Sequence, residues 1–434
     1  MRTVSRLMLV LCLLFSVVFT GPTQSIEASQ QNNNNNNDTC QEGEFENGAL
    51  WLICVPDKDW NGDLIVFAHG YVAFNQPIDF YNLEFNDIYL PDLVQLLGFA
   101  FATTSYRQNG LTILEGTEDI QELVEFFPQV AGQTPRYTYM TGPSQGGIIT
   151  TRLIEQSPEL FSGGLALCGP VGDFQRQLNY IGDFRLLFDY FFPNTLPGGP
   201  TAVPAELIDN WETVYVPLIK QLVADNPDKM EQLIRVSGAA VDPNDPITIE
   251  ATTLKLLWYN AFTTNDAVEK LNGNPYDNVG RQYAGSDNDT LLNQSVPRFA
   301  ADPAARAEVQ RYETTGKVTK PLVMMHTSGD EIIPSWHQDN YVNKVQVSGD
   351  GYFHAIPVIK RYGHCQFKVP EILAALAILV FEVTLSSNDS SITVNDVTMY
   401  DVLRDFSDKS DVSMRELIQA HGQLQQKSTV VATR

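Results

Sequence analysis

The stretch "RYTYMTGPSQGGIITTRLIEQ", residues 136–156, decides the fold. A short strand-like run ends at Gly142, a serine stands at 144, a second glycine follows at 146, and a helical pattern begins at once. A serine caught between a buried strand and a helix sits on a strained turn. Glycines are needed two places before and after it, because a side chain there would clash with neighbouring strands. The turn lifts the Ser144 hydroxyl out of the sheet. It also sets the Gln145 N–H at a helix start, where the dipole and unpaired donors favour an anion.

Outward from this turn the same alternation recurs. "DLIVFAHG" (63–70), "FAFATTSYR" (99–107) and "GGLALCGPVG" (163–172) read as buried strands. "LPDLVQLLG" (90–98) and "TEDIQELVEFF" (117–127) read as helices, the second capped by Thr117 with acids in its first turn. Strand alternating with helix predicts an α/β fold, a mostly parallel sheet with helices on both faces. After Gly172 the alternation stops, and residues 174–318 carry aromatic-rich helical patterns only. It resumes with "PLVMMHTSGD" (321–330) and a last strand in "FHAIPVIKRYGH" (353–364). The closing run "PEILAALAILVFEV" (370–383) is expected as a buried core helix and not a membrane span.

The chain has 434 residues, 43% hydrophobic and 10% aromatic, enough for a sizeable core. Its 52 acidic against 28 basic side chains leave a net charge of −24. That balance argues against nucleic acid or an anionic lipid surface as partner, since both are bound through Lys and Arg. Arg2 and Arg6, the apolar run at 7–19 and the small residues after it read as a cleaved secretory leader. A secreted or periplasmic location is therefore expected. The expected organisation is a leader (1–28), a low-complexity linker (29–39), a first core segment (40–173), a helical cap (174–318), a second core segment (319–384) and a polar tail (385–434). Glycosylation sequons occur at Asn37, Asn288, Asn293 and Asn388.

With Cys12 in the leader, Cys40, Cys54, Cys168 and Cys365 remain, and an even count in an exported chain favours disulfides. Cys40 and Cys54 bracket a good hairpin turn, "ENG". No C-x-x-C pair and no complete calcium loop occurs, so no metal and no cofactor is expected.

A nucleophilic serine needs a base, and the base an orienting acid. Of the six histidines, His326 falls inside a strand, His421 in the tail, and His337 and His354 have no distinguishing setting. His364 ends the last strand, in "RYGHCQF". Asp330 follows "PLVMMHTSG" directly, with Glu331 beside it as the alternative acid.

Ser144, Asp330 and His364, each at a strand's carboxyl end and in that order, resemble the catalytic set of α/β-hydrolases. The resemblance covers about Gly48 to Val383 and implies a cap inserted after the strand that follows the nucleophile. It implies that "FAHGY" is the oxyanion loop: Tyr71 supplies one backbone N–H beside that of Gln145, while His69 and Gly70 support the loop. Gly142 and Gly146 form the nucleophile elbow. Tannase and feruloyl-esterase-like members join a cysteine before the serine to one after the histidine. Here Cys365 follows His364, but Pro143 precedes Ser144. Cys168 is the substitute partner this likeness suggests; two buried thiols are the alternative.

The leading expectation is a secreted serine esterase whose aromatic-rich cap roofs a pocket for a small-molecule or polymer ester. A proline-type exopeptidase is the alternative, and a non-catalytic binding protein on the same scaffold a third.

Overall fold

The computed structural model describes residues 39–58, 60–349 and 352–386. The leader, the linker up to residue 38, His421 and the tail beyond residue 386 lie outside the described residues. Eight strands form one sheet: β1 (Cys40–Glu44), β2 (Leu50–Cys54), β3 (Leu64–Phe67), β4 (Ala100–Thr104), β5 (Thr138–Pro143), β6 (Gly163–Leu167), β7 (Leu322–Met325) and β8 (Phe353–Ala355). Their spatial order is β1-β2-β4-β3-β5-β6-β7-β8. β2 runs antiparallel to both neighbours, and all pairs from β4 to β8 are parallel.

The strands read as unbroken apolar runs because both sheet faces are covered. In β3, Leu64 and Val66 face one core, Ile65 and Phe67 the other. Helices α1 (Ile113–Ala131) and α2 (Gln145–Gln156) fill the first face with Ile120, Leu123, Ile149 and Leu153. Between β6 and β7 the described chain holds helices and loops only, including α3 (Phe174–Phe191) and α4 (Ile247–Lys270). This insertion has its own core of Phe184, Phe188, Trp211, Leu256 and Leu257, which also takes in Ile332 and Ile333 from the loop after β7. The second sheet face is covered by α5 (Val369–Ser386) through Ala375, Ile378, Leu379 and Val383. By length and composition alone α5 could cross a membrane; here one of its faces packs on the sheet. Strand order, crossovers and the sharp turn after β5 make this the α/β-hydrolase fold, with a helical insertion after β6.

Two local readings are corrected. Thr117 does not cap α1: the helix begins a turn earlier, and the Thr117 hydroxyl donates to Ile113 O inside it. Residues 353–364 are not one strand either. Pro357 has no N–H to continue a ladder, and beyond it Ile359–Tyr362 leaves the main sheet to pair in parallel with Thr327–Gly329. His364 therefore follows this small ribbon and not the last strand of the main sheet. Gly329 is in register with Tyr362, which brings the turns carrying Asp330 and His364 together. Disulfides join Cys40 to Cys54 and Cys168 to Cys365.

Candidate active site

Ser144 stands between β5 and α2 with φ 56° and ψ −122°, a strained conformation for a residue with a side chain. Its N–H is anchored to Leu167 O at 2.9 Å. A Cβ on Gly142 would lie 2.4 Å from Ala68 O, and one on Gly146 only 2.0 Å from the same oxygen. The two glycines thus let the elbow press against the end of β3.

Asp330 is fully buried, and its Oδ1 accepts the N–H groups of Ile332 (3.0 Å) and Ile333 (2.8 Å). His364 Nδ1 lies 2.9 and 2.8 Å from the two carboxylate oxygens. Burial works against ionisation of Asp330, but His364 and His326 outweigh it and hold the carboxyl below its ordinary range. An ionised carboxylate only accepts, so Nδ1 carries the His364 proton and Nε2 presents a lone pair. Among the described residues no hydrogen bond joins Ser144 to His364; Nε2 is 3.5 Å from Cys365 Sγ. The Cys168–Cys365 bridge ties the histidine turn to the end of β6, the neighbour of β5. Both sulfurs and the imidazole cluster closely, yet bonded sulfurs are not the thiolates a soft metal takes. Glu331, the alternative acid, is buried and pairs with Lys255 of α4.

His69 is buried with Nδ1 2.7 Å from Gly70 O and Nε2 3.1 Å from Ser105 O, its ring stacked on Tyr106. Burial lowers its pKa, and both nitrogens are occupied by carbonyls. Gly70 N–H donates to Asn82 Oδ1 at 3.1 Å, and a Cβ on Gly70 would sit 3.5 Å from Ser144 Cβ. The loop therefore lies against the elbow. The N–H groups of Tyr71 and Gln145 have no partner among the described residues. His337 accepts the Gly172 N–H at Nδ1 and meets Gln177 Oε1 with Nε2, a buried structural role. His354 pairs with Glu382 on α5.

Two residues escape the sequence reading. His326 lies behind Asp330, its Nε2 2.6 Å from Ile333 O and 3.5 Å from Asp330 Oδ2. Its only signal is a histidine breaking an apolar run four places before the acid. Asn82, in a left-handed conformation, is far from the motif it orients and carries no signal at all.

Ser144 lines a cleft with a cavity volume of about 120 Å³. The sheet side contributes Tyr71, Leu111, Ile113 and Ile332; the insertion contributes Phe174, Leu178, Ile181 and Tyr259. Among the described residues no Asp, Glu, Lys or Arg lines it.

No protein-family model matches this sequence, and no curated protein does. Among solved structures it is similar to an acylaminoacyl peptidase of Pyrococcus horikoshii, 15% identical with TM-score 0.38 over 75% of this chain and 37% of that one. An esterase of Pyrococcus furiosus is 11% identical with TM-score 0.39, covering 79% of this chain and 90% of its own. A proline iminopeptidase of Mycobacterium smegmatis is 11% identical with TM-score 0.41, covering 80% and 100%. The chain thus spans little more than a third of the peptidase's length. Likeness this loose carries nothing about chemistry, and the fold assignment rests on strand order and the elbow.

Proposed function

We propose that the protein is a secreted serine hydrolase of carboxylic esters. The observation that carries this reading is Ser144, held on a strained elbow, opening into a cleft that no charged side chain lines among the described residues. An ester is neutral and needs no counter-charge. The free amine of an exopeptidase substrate needs an acid, and none lines the cleft among the described residues. The two disulfides suit a chain folded in an oxidising compartment.

In this reading Ser144 Oγ attacks the ester carbonyl while His364 Nε2 takes its proton. Asp330 holds the imidazole in the required tautomer and stabilises its cation. The Tyr71 and Gln145 N–H groups receive the oxyanion, each donor worth roughly 3 kcal/mol. His364 then protonates the departing alcohol, and an acyl-enzyme remains. Water, deprotonated by His364, releases the carboxylic acid and restores Ser144. The hydrogen bond between Ser144 and His364 forms as substrate arrives, as is common for such pairs. The helical insertion serves as the cap over the acyl site.

The test compares the protein with Ser144→Ala on short p-nitrophenyl esters and on proline aminoacyl amides. Ester turnover that falls at least about 10³-fold in the variant is expected. Faster turnover of the amides would overturn the ester reading, and unchanged ester turnover in the variant would remove Ser144 from the chemistry.

A further inference from the structure

We infer that Tyr259, brought to the site by the helical insertion, is a catalytic residue: its hydroxyl donates a hydrogen bond to the leaving alcohol oxygen as the ester bond breaks. This deepens the ester reading above and rests on it. Tyr259 lies on α4 and lines the cleft together with Ser144. Its side chain is half-buried. Its hydroxyl has no hydrogen-bond partner among the described residues, yet it is not one of their closed-off polar atoms, so a substrate can reach it.

The other side-chain donors of the wall are engaged or out of reach. Tyr71 gives its hydroxyl to Phe262 O, and Tyr276 to Asp183. Thr263 and Thr264 donate back into α4. The amide of Asn260 donates to Thr264, that of Asn274 to Tyr276 O and Ala300 O, and that of Gln177 to Ile332 O. The Gln145 Nε2 is closed off from the cleft. Ser144 aside, Tyr259 therefore supplies the one free and accessible side-chain donor of the lining among the described residues.

Three contacts locate that donor. Lys255, one turn earlier on the same face of α4, pairs with Glu331, the neighbour of Asp330. The Tyr259 ring packs beside the Tyr71 ring of the oxyanion loop, with centroids 5.8 Å apart. Burial raises the Tyr259 pKa, and the charges of Asp330 and Glu331 raise it further. The hydroxyl thus stands near the acid turn and stays protonated at neutral pH, a donor and not a base. In the proposed mechanism two backbone N–H groups already hold the oxyanion. The alcohol departs toward His364, hence on the side of the Asp330 turn, where Tyr259 stands. As the C–O bond breaks, its electron pair goes to the alcohol oxygen and the His364 Nε2 proton follows. Tyr259 keeps its own proton.

The experiment compares the protein with Tyr259→Phe on three butanoates whose leaving groups grow more basic: p-nitrophenyl, phenyl and benzyl. Each kcat/KM is expressed per site labelled by a fluorophosphonate, so that loss of folded protein cancels. A more basic departing oxygen carries more charge and accepts a stronger hydrogen bond. The loss in the variant is therefore expected to grow along the series, becoming about tenfold larger for benzyl than for p-nitrophenyl, the order of one hydrogen bond. Tyr259→Leu is read by the same ratios where Tyr259→Phe leaves too little labelled protein.

An equal loss on all three esters assigns the hydroxyl to the oxyanion or to packing of the insertion, and overturns the inference. No loss on any of them overturns it too. The wild type separates the two levels. Label at Ser144 and ester turnover, with a flat series in the variant, sink the inference alone; neither label nor ester turnover sinks the ester reading and the inference with it.

Discussion

Gly142 and Gly146 are glycine for reasons of space, Gly48 for reasons of torsion. A Cβ at 146 would meet the Ala68 carbonyl at 2.0 Å, and neither backbone partner can yield. Gly48 has φ +88° with nothing within 4 Å of a Cβ. Gly146→Ala is therefore expected to cost at least about 3 kcal/mol, and Gly48→Ala about 1 kcal/mol. Urea unfolding of the two variants measures the contrast; equal losses would mean that crowding by Ala68 is not what demands glycine at the elbow. Ser144, Asp330 and His364 could be singled out in the sequence because each has a local mark, a turn after an apolar run. Asn82 could not, because it acts on Gly70 twelve places away; nor could His326, which falls not inside a strand as expected but in the gap between Leu322–Met325 and Thr327–Gly329.

Elements show a similar division. β3 through β7 are legible as apolar runs since each is buried on both faces, and α5 as an apolar helix. The stretch 353–364 misleads because apolar content continues through Pro357, while the hydrogen-bond ladder does not. Between β8 and α5 lies a titratable link: His354 Nδ1 is 3.1 Å from Glu382 Oε1, and this hydrogen bond raises the His354 pKa against the opposing effect of burial. A raised histidine pKa adds stability that is complete below the unfolded value near 6.5 and is lost as pH rises through the folded one. The His354 side chain is 42% exposed, so solvent screening limits the contribution to about half a kcal/mol. Urea midpoints between pH 6 and 9 are expected to fall slightly for the wild type, and His354→Gln to remove that component. An identical slope in the variant would place the titration elsewhere.

At the scale of the whole molecule, the insertion and the turns that carry Asp330 and His364 are held to one another. From α4, Lys255 pairs with Glu331 and Thr252 shares a hydrogen bond with the Tyr362 hydroxyl, while the Tyr180 hydroxyl of α3 donates to Glu331 O. The same helices that roof the cleft therefore touch the turns of both Asp330 and His364. Around them all runs the Cys168–Cys365 bridge, closing a sequence separation of 197 residues, worth about 5 kcal/mol of chain entropy. Ser144 lies before that loop, Asp330 and His364 within it. A protease that cuts once between residues 168 and 365 consequently severs the polypeptide without dividing the molecule. Limited proteolysis is expected to yield nicked protein that migrates as one species without reductant and as two fragments with it. Fragments that part without reductant would show the bridge open in solution. One peptide bond lost from the insertion thus leaves Ser144, Asp330 and His364, the three groups of the proposed mechanism, in a single covalent body.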